Sequence, residues 1–222
     1  MKKRAILIAV STFLIFVFTQ IVFSSIGLII QGGVISSYFL LFPIAGDVLS
    51  LTLVLLYLSR KKELQCLFRT FIVPAKQWII PLIAIILYSV AGNLILHTIS
   101  FSENMQGNME IMESSIKINP FLYCVAVYLV APITEEFIFR GFIQTRLCRS
   151  MNAVPAILIS SVLFAATHFM TGSISTVLFT FFGGILFGLT YKKTGCLLLT
   201  IIVHIVGNLS EILAAALISV MG

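Results

Sequence analysis

Long apolar runs separated by short polar interruptions make up nearly the whole chain. They lie near residues 5–30, 34–58, 78–100, 121–146, 153–170, 173–190 and 196–220. A helix rises about 1.5 Å per residue, so roughly 20 apolar residues cross a hydrocarbon core about 30 Å thick, and these runs approach that length. The pattern predicts an all-α fold: a polytopic membrane helix bundle of about seven transmembrane helices, or eight, since Gly and Pro blur the ends of the later runs. No repeat of fixed period is visible, and no soluble stretch is long enough for a second domain. The expectation is a single integral membrane domain over 1–222.

Composition strengthens this reading. The 222 residues are 59 % hydrophobic and 10 % charged, whereas a soluble globule carries about a quarter charged residues. The net charge of +6 would suggest nucleic acid if the cations were scattered, but they are not. Lys2, Lys3 and Arg4 precede the first run; Arg60, Lys61, Lys62, Arg69 and Lys76 lie between the second and third; Arg146 and Arg149 follow the fourth; Lys192 and Lys193 follow the sixth. Alternate threading puts all of these on one side, which the positive-inside rule makes the cytoplasm. The chain then reads as a multi-pass protein of the cell membrane, N-terminus inside and C-terminus outside. The opposite loop, SENMQGNMEIMESSIK, holds Glu103, Glu110 and Glu113 against Lys117. The basic bias is therefore topological, and no nucleic-acid partner is expected.

Three smaller features fit the same picture. KKR before an apolar run resembles a signal peptide, but the run continues for about 25 residues without a small-residue cleavage pattern, so an uncleaved first helix is expected. Cys66, Cys124, Cys148 and Cys196 stand singly, which suggests neither a disulfide framework nor a zinc knuckle. In the connection SRKKELQCLFRTFIVPAKQW, Leu64, Leu67, Phe68, Phe71 and Ile72 share a face at helical spacing. That predicts either a short amphipathic helix on the inner leaflet or a solvated loop with basic anchors.

Ionisable groups inside membrane spans are costly and usually face the bundle interior. The second run has Asp47; the third has His97, with Asn93 one turn before; the fourth has Glu135, Glu136 and Arg140; the fifth has His168; the seventh has His204 and Glu211, with Asn208. The C-terminal half is richer in chemistry. Glu136 and Arg140 stand at i and i+4, acid N-terminal to base, the favourable orientation for an ion pair. Glu135 is rotated about 100° from Glu136 and about 140° from Arg140 on a helix of period 3.6. One carboxylate is thus neutralised in place and the other left to face a cavity; the alternative is that both glutamates share Arg140 as interhelical glue. In HIVGN, His204 and Asn208 also stand at i and i+4, with Glu211 continuing the stripe. In FAATH, Phe164 flanks His168. Asn93 and His97 mimic the later pair but lie near the outer face, where packing is expected.

Depth links these groups. Glu135 lies roughly 15 Å from the helix end near Arg146, His168 roughly 20 Å from the start near Val154, and His204 roughly 12 Å from the start near Cys196. All three fall in the inner or middle bilayer and could converge on one site open to the cytoplasm. A carboxylate and a histidine can hold a water and remove its proton, while a second histidine and an amide can donate to the oxyanion that follows. A carboxylate with two histidines is equally the ligand set of a catalytic zinc, although no HExxH motif is present. No Ser stands in a GxSxG context and no Cys among these residues, so an acyl-enzyme is disfavoured. Buried Glu and His also suit a proton-coupled transporter, but the N-terminal half lacks the matching charged set that inverted repeats would place there.

EEFIFR fits EExxxR, FAATH fits FxxxH and HIVGN fits HxxxN, in this order on separate runs. Together they resemble the motifs of the CPBP family of intramembrane proteases, which includes CAAX prenyl endopeptidases and bacterial proteins linked to bacteriocin processing and self-immunity. The resemblance covers about residues 120–210, which it implies to be the catalytic core. It implies that Glu135 is the general base, that His168 helps hold the water, that His204 and Asn208 form the oxyanion site, and that Glu136 and Arg140 support them. Members have been described both as metal-independent glutamic proteases and as metalloproteases. Asn208, a poor zinc ligand but a good oxyanion donor, favours the account without a cofactor; in the zinc alternative the ligands are Glu135, His168 and His204. The expected partners are the lipid bilayer and a peptide or membrane-protein substrate, either a lipidated CAAX peptide or a bacteriocin-like precursor. A non-catalytic self-immunity protein that keeps the motifs as scaffold is the principal rival.

Overall fold

A computed structural model of the protein describes residues 2–32, 38–67, 73–99, 116–169 and 174–221, and the regular elements among them are all helical. Unbroken stretches of Leu, Ile, Val and Phe have no polar side chains to satisfy a backbone in lipid, so the chain must close its hydrogen bonds within each helix. The helices are α1 (Lys2–Ile30), α2 (Leu41–Arg60), α3 (Lys76–Ile99), α4 (Pro120–Cys148), α5 (Ala153–Thr167), α6 (Ile174–Thr194) and α7 (Leu197–Met221). Six of them, all but α5, are long and apolar enough to cross a membrane. This is a polytopic membrane bundle, as the hydrophobic pattern predicts, with one correction. The run at 153–170 yields a 15-residue helix, about 22 Å long and short of a bilayer core. It ends where the His168 N–H turns back to the Ala165 carbonyl in a tighter turn. The helix in the second run begins at Leu41, and residues 33–37 fall outside the described set.

α1 pairs with α2, α3 with α7 and α5 with α6, and α4 runs through the middle, touching all of them but α3 closely. Its Ile138, Phe139, Phe142 and Ile143 are at most 2 % exposed. The helix is not uniformly α. Ala126–Val130 and Glu136–Gln144 are π-helical, on either side of the α turn Ala131–Glu135. Pro132 accounts for part of this. In the first π stretch the Ala131 N–H bonds the Ala126 carbonyl five residues back, and the next donor in that register would be Pro132, which has no N–H. The Val127 carbonyl is thereby left without a backbone partner and is taken by a side chain from α7, Asn208 Nδ2 at 3.0 Å.

The interface of α4 with α6 is a matched ladder. Arg140 and Gln144, four residues apart, donate to the carbonyls of Gly184 and Gly188, also four apart, each at 3.0 Å. A Cβ at Gly188 would sit 2.9 Å from both Ile157 Cγ2 and Gln144 Oε1. Gly188→Ala should therefore destabilise the protein by about 1–3 kcal/mol, the usual cost of overpacking a filled interior, read as a lowered thermal unfolding midpoint in detergent.

The connection after α2, for which the sequence leaves an amphipathic helix and a solvated loop both open, forms one 3₁₀ turn in its described part, Leu64–Cys66, whose neighbour Leu67 is 3 % exposed in the core. Phe68, Phe71 and Ile72 lie outside the described residues. The turn is held to the far end of α4: Glu63 pairs with Arg146 at 2.6 Å and Arg149 at 3.1 Å. The Arg146 guanidinium stands 5.6 Å from the Tyr57 ring and 5.1 Å from that of Phe142.

Candidate functional site

The site is built on α4 and closed by α5, α6 and α7. Glu136 and Arg140 are fully buried, with Arg140 Nη1 donating to Glu136 Oε1 at 2.9 Å. The pair expected from the i,i+4 spacing is present, now within a π-helical stretch. Burying two charges in an apolar interior is tolerable only when their remaining hydrogen-bonding capacity finds partners. Here the same Oε1 also meets His204 Nδ1 at 2.9 Å, and Arg140 Nη2 is spent on Gly184. Glu136 Oε2 and Arg140 Nε have no partner among the described residues.

Aromatic rings complete the wall. His204 stacks on Phe187 with centroids 4.4 Å apart and meets the edge of Phe164 at 5.8 Å. The Arg140 guanidinium sits 4.5 Å from the Phe164 ring centre and 5.2 Å from that of Phe187, positions in which the ring quadrupole stabilises the cation. Phe164 also touches His168, centroids 5.3 Å apart. The phenylalanine of FxxxH is therefore the common wall between both histidines and the arginine.

Glu135 is placed differently from Glu136. Its Oε2 lies 3.7 Å from His204 Nε2, its side chain is 14 % exposed, and it accepts no hydrogen bond from a described residue. The division of the two glutamates into one paired with Arg140 and one left unpaired by it is present, although the π geometry changes the angles that suggested it. His168 closes the C-terminal end of α5, its Nδ1 lying 3.3 Å from the Phe164 carbonyl and 3.1 Å from Thr167 Oγ1. With Nδ1–H held by that carbonyl, Nε2 carries the lone pair. Asn208 is on the stripe of His204, but one of its amide hydrogens goes to Val127.

The structure thus joins Glu135, Glu136, Arg140 and His204 directly, brings His168 in through Phe164, and ties Asn208 back to α4. Glu211 is exposed on α7, within electrostatic reach of Tyr88, Tyr123 and Tyr128. Asn93 donates to the Ser89 carbonyl at 2.8 Å, as a packing residue would; the side chain of His97 lies outside the described set. Among the described residues, no three His, Cys, Asp or Glu side chains are gathered as a metal site. Glu135 and His204 approach to 3.7 Å, and His168 is linked to them through the Phe164 ring.

Asp47 gains a neighbourhood that the sequence did not reveal. It is buried on α2, accepts from Gln20 Nε2 of α1 at 2.7 Å, and lies within electrostatic reach of Glu135. One turn on, Ser50 donates to the Gly46 carbonyl and meets Thr19 Oγ1 at 2.5 Å. Gln20 is the one amide side chain in an α1 otherwise interrupted only by hydroxyls and its basic start, and that was the available signal.

Residues 117–210 match the family model described as type II CAAX prenyl endopeptidase Rce1-like. The match takes in α4 to α6 and most of α7, with all six candidate residues, and leaves α1 to α3 outside it. No curated protein and no solved structure matches the chain.

Proposed function

We propose, from the match of residues 117–210 to the Rce1-like family model, an intramembrane peptidase that hydrolyses its substrate with a water activated by Glu135. The carrying observation is the contrast of adjacent glutamates: Glu136 engaged through Oε1 by both Arg140 and His204, Glu135 without a hydrogen bond from a described residue and 3.7 Å from His204 Nε2. In the proposed step a water oxygen attacks the peptide carbonyl carbon while Glu135 takes its proton. His168 Nε2 accepts the water's other hydrogen bond. The carbonyl oxygen becomes an oxyanion, and the free N–H of Asn208 donates to it. With its Nδ1–H held by Glu136, His204 would join that oxyanion site through Nε2 when this nitrogen carries a proton. Collapse breaks the C–N bond, and the proton on Glu135 passes to the leaving amine. Glu136 and Arg140 act by orienting His204. No step here passes through a metal.

The proposed setting is the cell membrane, with the N-terminus and the basic connections on the cytoplasmic side. The proposed substrate is a peptide or membrane-protein segment, lipidated or not.

Cleavage of a peptide library by purified, reconstituted protein tests this reading. His168→Ala should lower kcat/KM about 10²–10⁴-fold, the range for loss of a proton-transfer or water-holding group, while exhaustive chelation should leave wild-type activity in place. Loss of activity on chelation and its return with stoichiometric zinc would transfer the role of Glu135 to a metalloprotease. A self-immunity phenotype that survives His168→Ala would favour the non-catalytic rival.

A further inference from the structure

The Rce1-like match leaves α1 and α2 unassigned, and between them the structure holds a second feature. A groove of about 400 Å³ runs along the α1–α2 pair, with Phe16, Ile138 and Phe142 at its base and Leu7, Ile15 and Leu53 on its walls. The base residues are at most 3 % exposed, whereas the wall residues are 42–66 % exposed and face outward from the bundle. The groove therefore opens sideways into the bilayer. Two of its four hydroxyls are spent within their own helices, Thr12 donating to the Ile8 carbonyl and Ser50 to that of Gly46, both at 2.8 Å, while those of Ser11 and Tyr57 also line the groove. The surface is predominantly hydrocarbon, and the volume is at the lower end of the range of small-molecule sites.

The mouth of the groove has the opposite character. Because α1 and α2 run antiparallel, the start of α1 and the end of α2 meet at one face. The groove begins about one turn above Arg4 and about one turn before Arg60. Lys3, Arg4, Arg60, Lys61 and Lys62 are all exposed there. None of their side chains has a hydrogen bond or ion pair with another described residue. The nearby acid, Glu63, is already taken by Arg146 and Arg149. Topology alone would put basic residues at this face. It would not place them over the open end of an apolar groove with their acid neighbour withdrawn.

We propose that this groove binds an anionic phospholipid of the bilayer, one acyl chain along Phe16, Ile138 and Phe142 and the phosphate among the cations at the mouth. The inference is independent of the peptidase reading. It makes α1 and α2 a lipid site attached to the helix that carries Glu135. Each cation near an anionic headgroup contributes about 1 kcal/mol, so two engaged cations correspond to a preference of about 30-fold over a zwitterionic lipid of the same chains.

Purified full-length protein in detergent, titrated with phosphatidylglycerol and separately with phosphatidylcholine of identical chains, tests this by native mass spectrometry and thermal shift. The expected result is one retained phosphatidylglycerol per chain, bound at least about tenfold more tightly than phosphatidylcholine. Arg4→Gln with Arg60→Gln and Lys61→Gln should bring the two lipids to within about twofold. Leu53→Trp, which fills the groove from its lipid-facing wall, should weaken both lipids about tenfold or more without lowering the lipid-free unfolding midpoint. Equal binding of the two lipids by the wild type would overturn the proposal. So would phosphatidylglycerol binding unchanged by Leu53→Trp, and a variant that raised KM for a cleaved peptide while lipid binding stayed intact would assign the groove to substrate.

Discussion

Glu135→Gln is expected to abolish peptide cleavage while leaving the fold in place. The two halves of this expectation come from different observations. Glu135 accepts no hydrogen bond from a described residue, so an amide of the same shape strands no buried donor. A thermal unfolding midpoint close to that of the wild type should follow. Catalytically, glutamine has no site for the water's proton, and loss of a general base costs about 10²–10⁴-fold in kcat/KM. KM should change little, because the group acts on the water rather than on the peptide. A variant that folds and cleaves at the wild-type rate would remove Glu135 from the chemistry. The rival reading, a binding protein with the motifs as scaffold, expects the variant to keep its biological effect.

Arg140→Ala should act in the reverse order, on the fold first and on activity in consequence. Removing one partner of a buried ion pair leaves the other charge uncompensated, at a cost of about 3–5 kcal/mol. Here the loss reaches further, since Arg140 also donates to Gly184 and lies against Phe164 and Phe187. The expected measurement is a large fall in the thermal unfolding midpoint in detergent. Arg140→Met combined with Glu136→Gln should recover much of that stability, because no charge is then left alone in the interior. Activity should not return with it, because His204 Nδ1 would face a neutral amide and the ring would no longer be held by a carboxylate. Recovery of both together would show that Glu136 and Arg140 serve packing alone.

Which parts of this architecture could be read from residue order has a physical explanation. Spans, their polar interruptions and the Glu136–Arg140 pair follow from local periodicity, and local periodicity is visible in a sequence. The shortness of α5 was hidden because apolar character continues past Thr167, whereas His168 and Phe169 already lie in a turn. The π register of α4 was hidden because a rule of period 3.6 has no place for it; Pro132 was the sign, but its effect falls on the Val127 carbonyl, and the group that answers it, Asn208, is 81 residues away. The same applies to His204. Its stripe with Asn208 suggested two free donors, yet its Nδ1 is held by a carboxylate 68 residues earlier in the chain. Asp47 and Gln20 are separated by 27 residues and meet only because α1 and α2 run side by side.

The π-helical stretch Glu136–Gln144 carries one consequence for how this protein can change. Each π turn holds a residue more than an α turn, and beyond it every side chain is displaced by about 100° relative to an uninterrupted α-helix. Losing a single residue there would give a helix with better backbone geometry, and Gln144 would no longer be aimed at Gly188 or Arg146 at Glu63. Substitutions within this segment can be tested by selection one at a time, whereas a change in its length rearranges several partnerships at once. The segment's length is thus a more rigid inheritance than the identity of most residues within it.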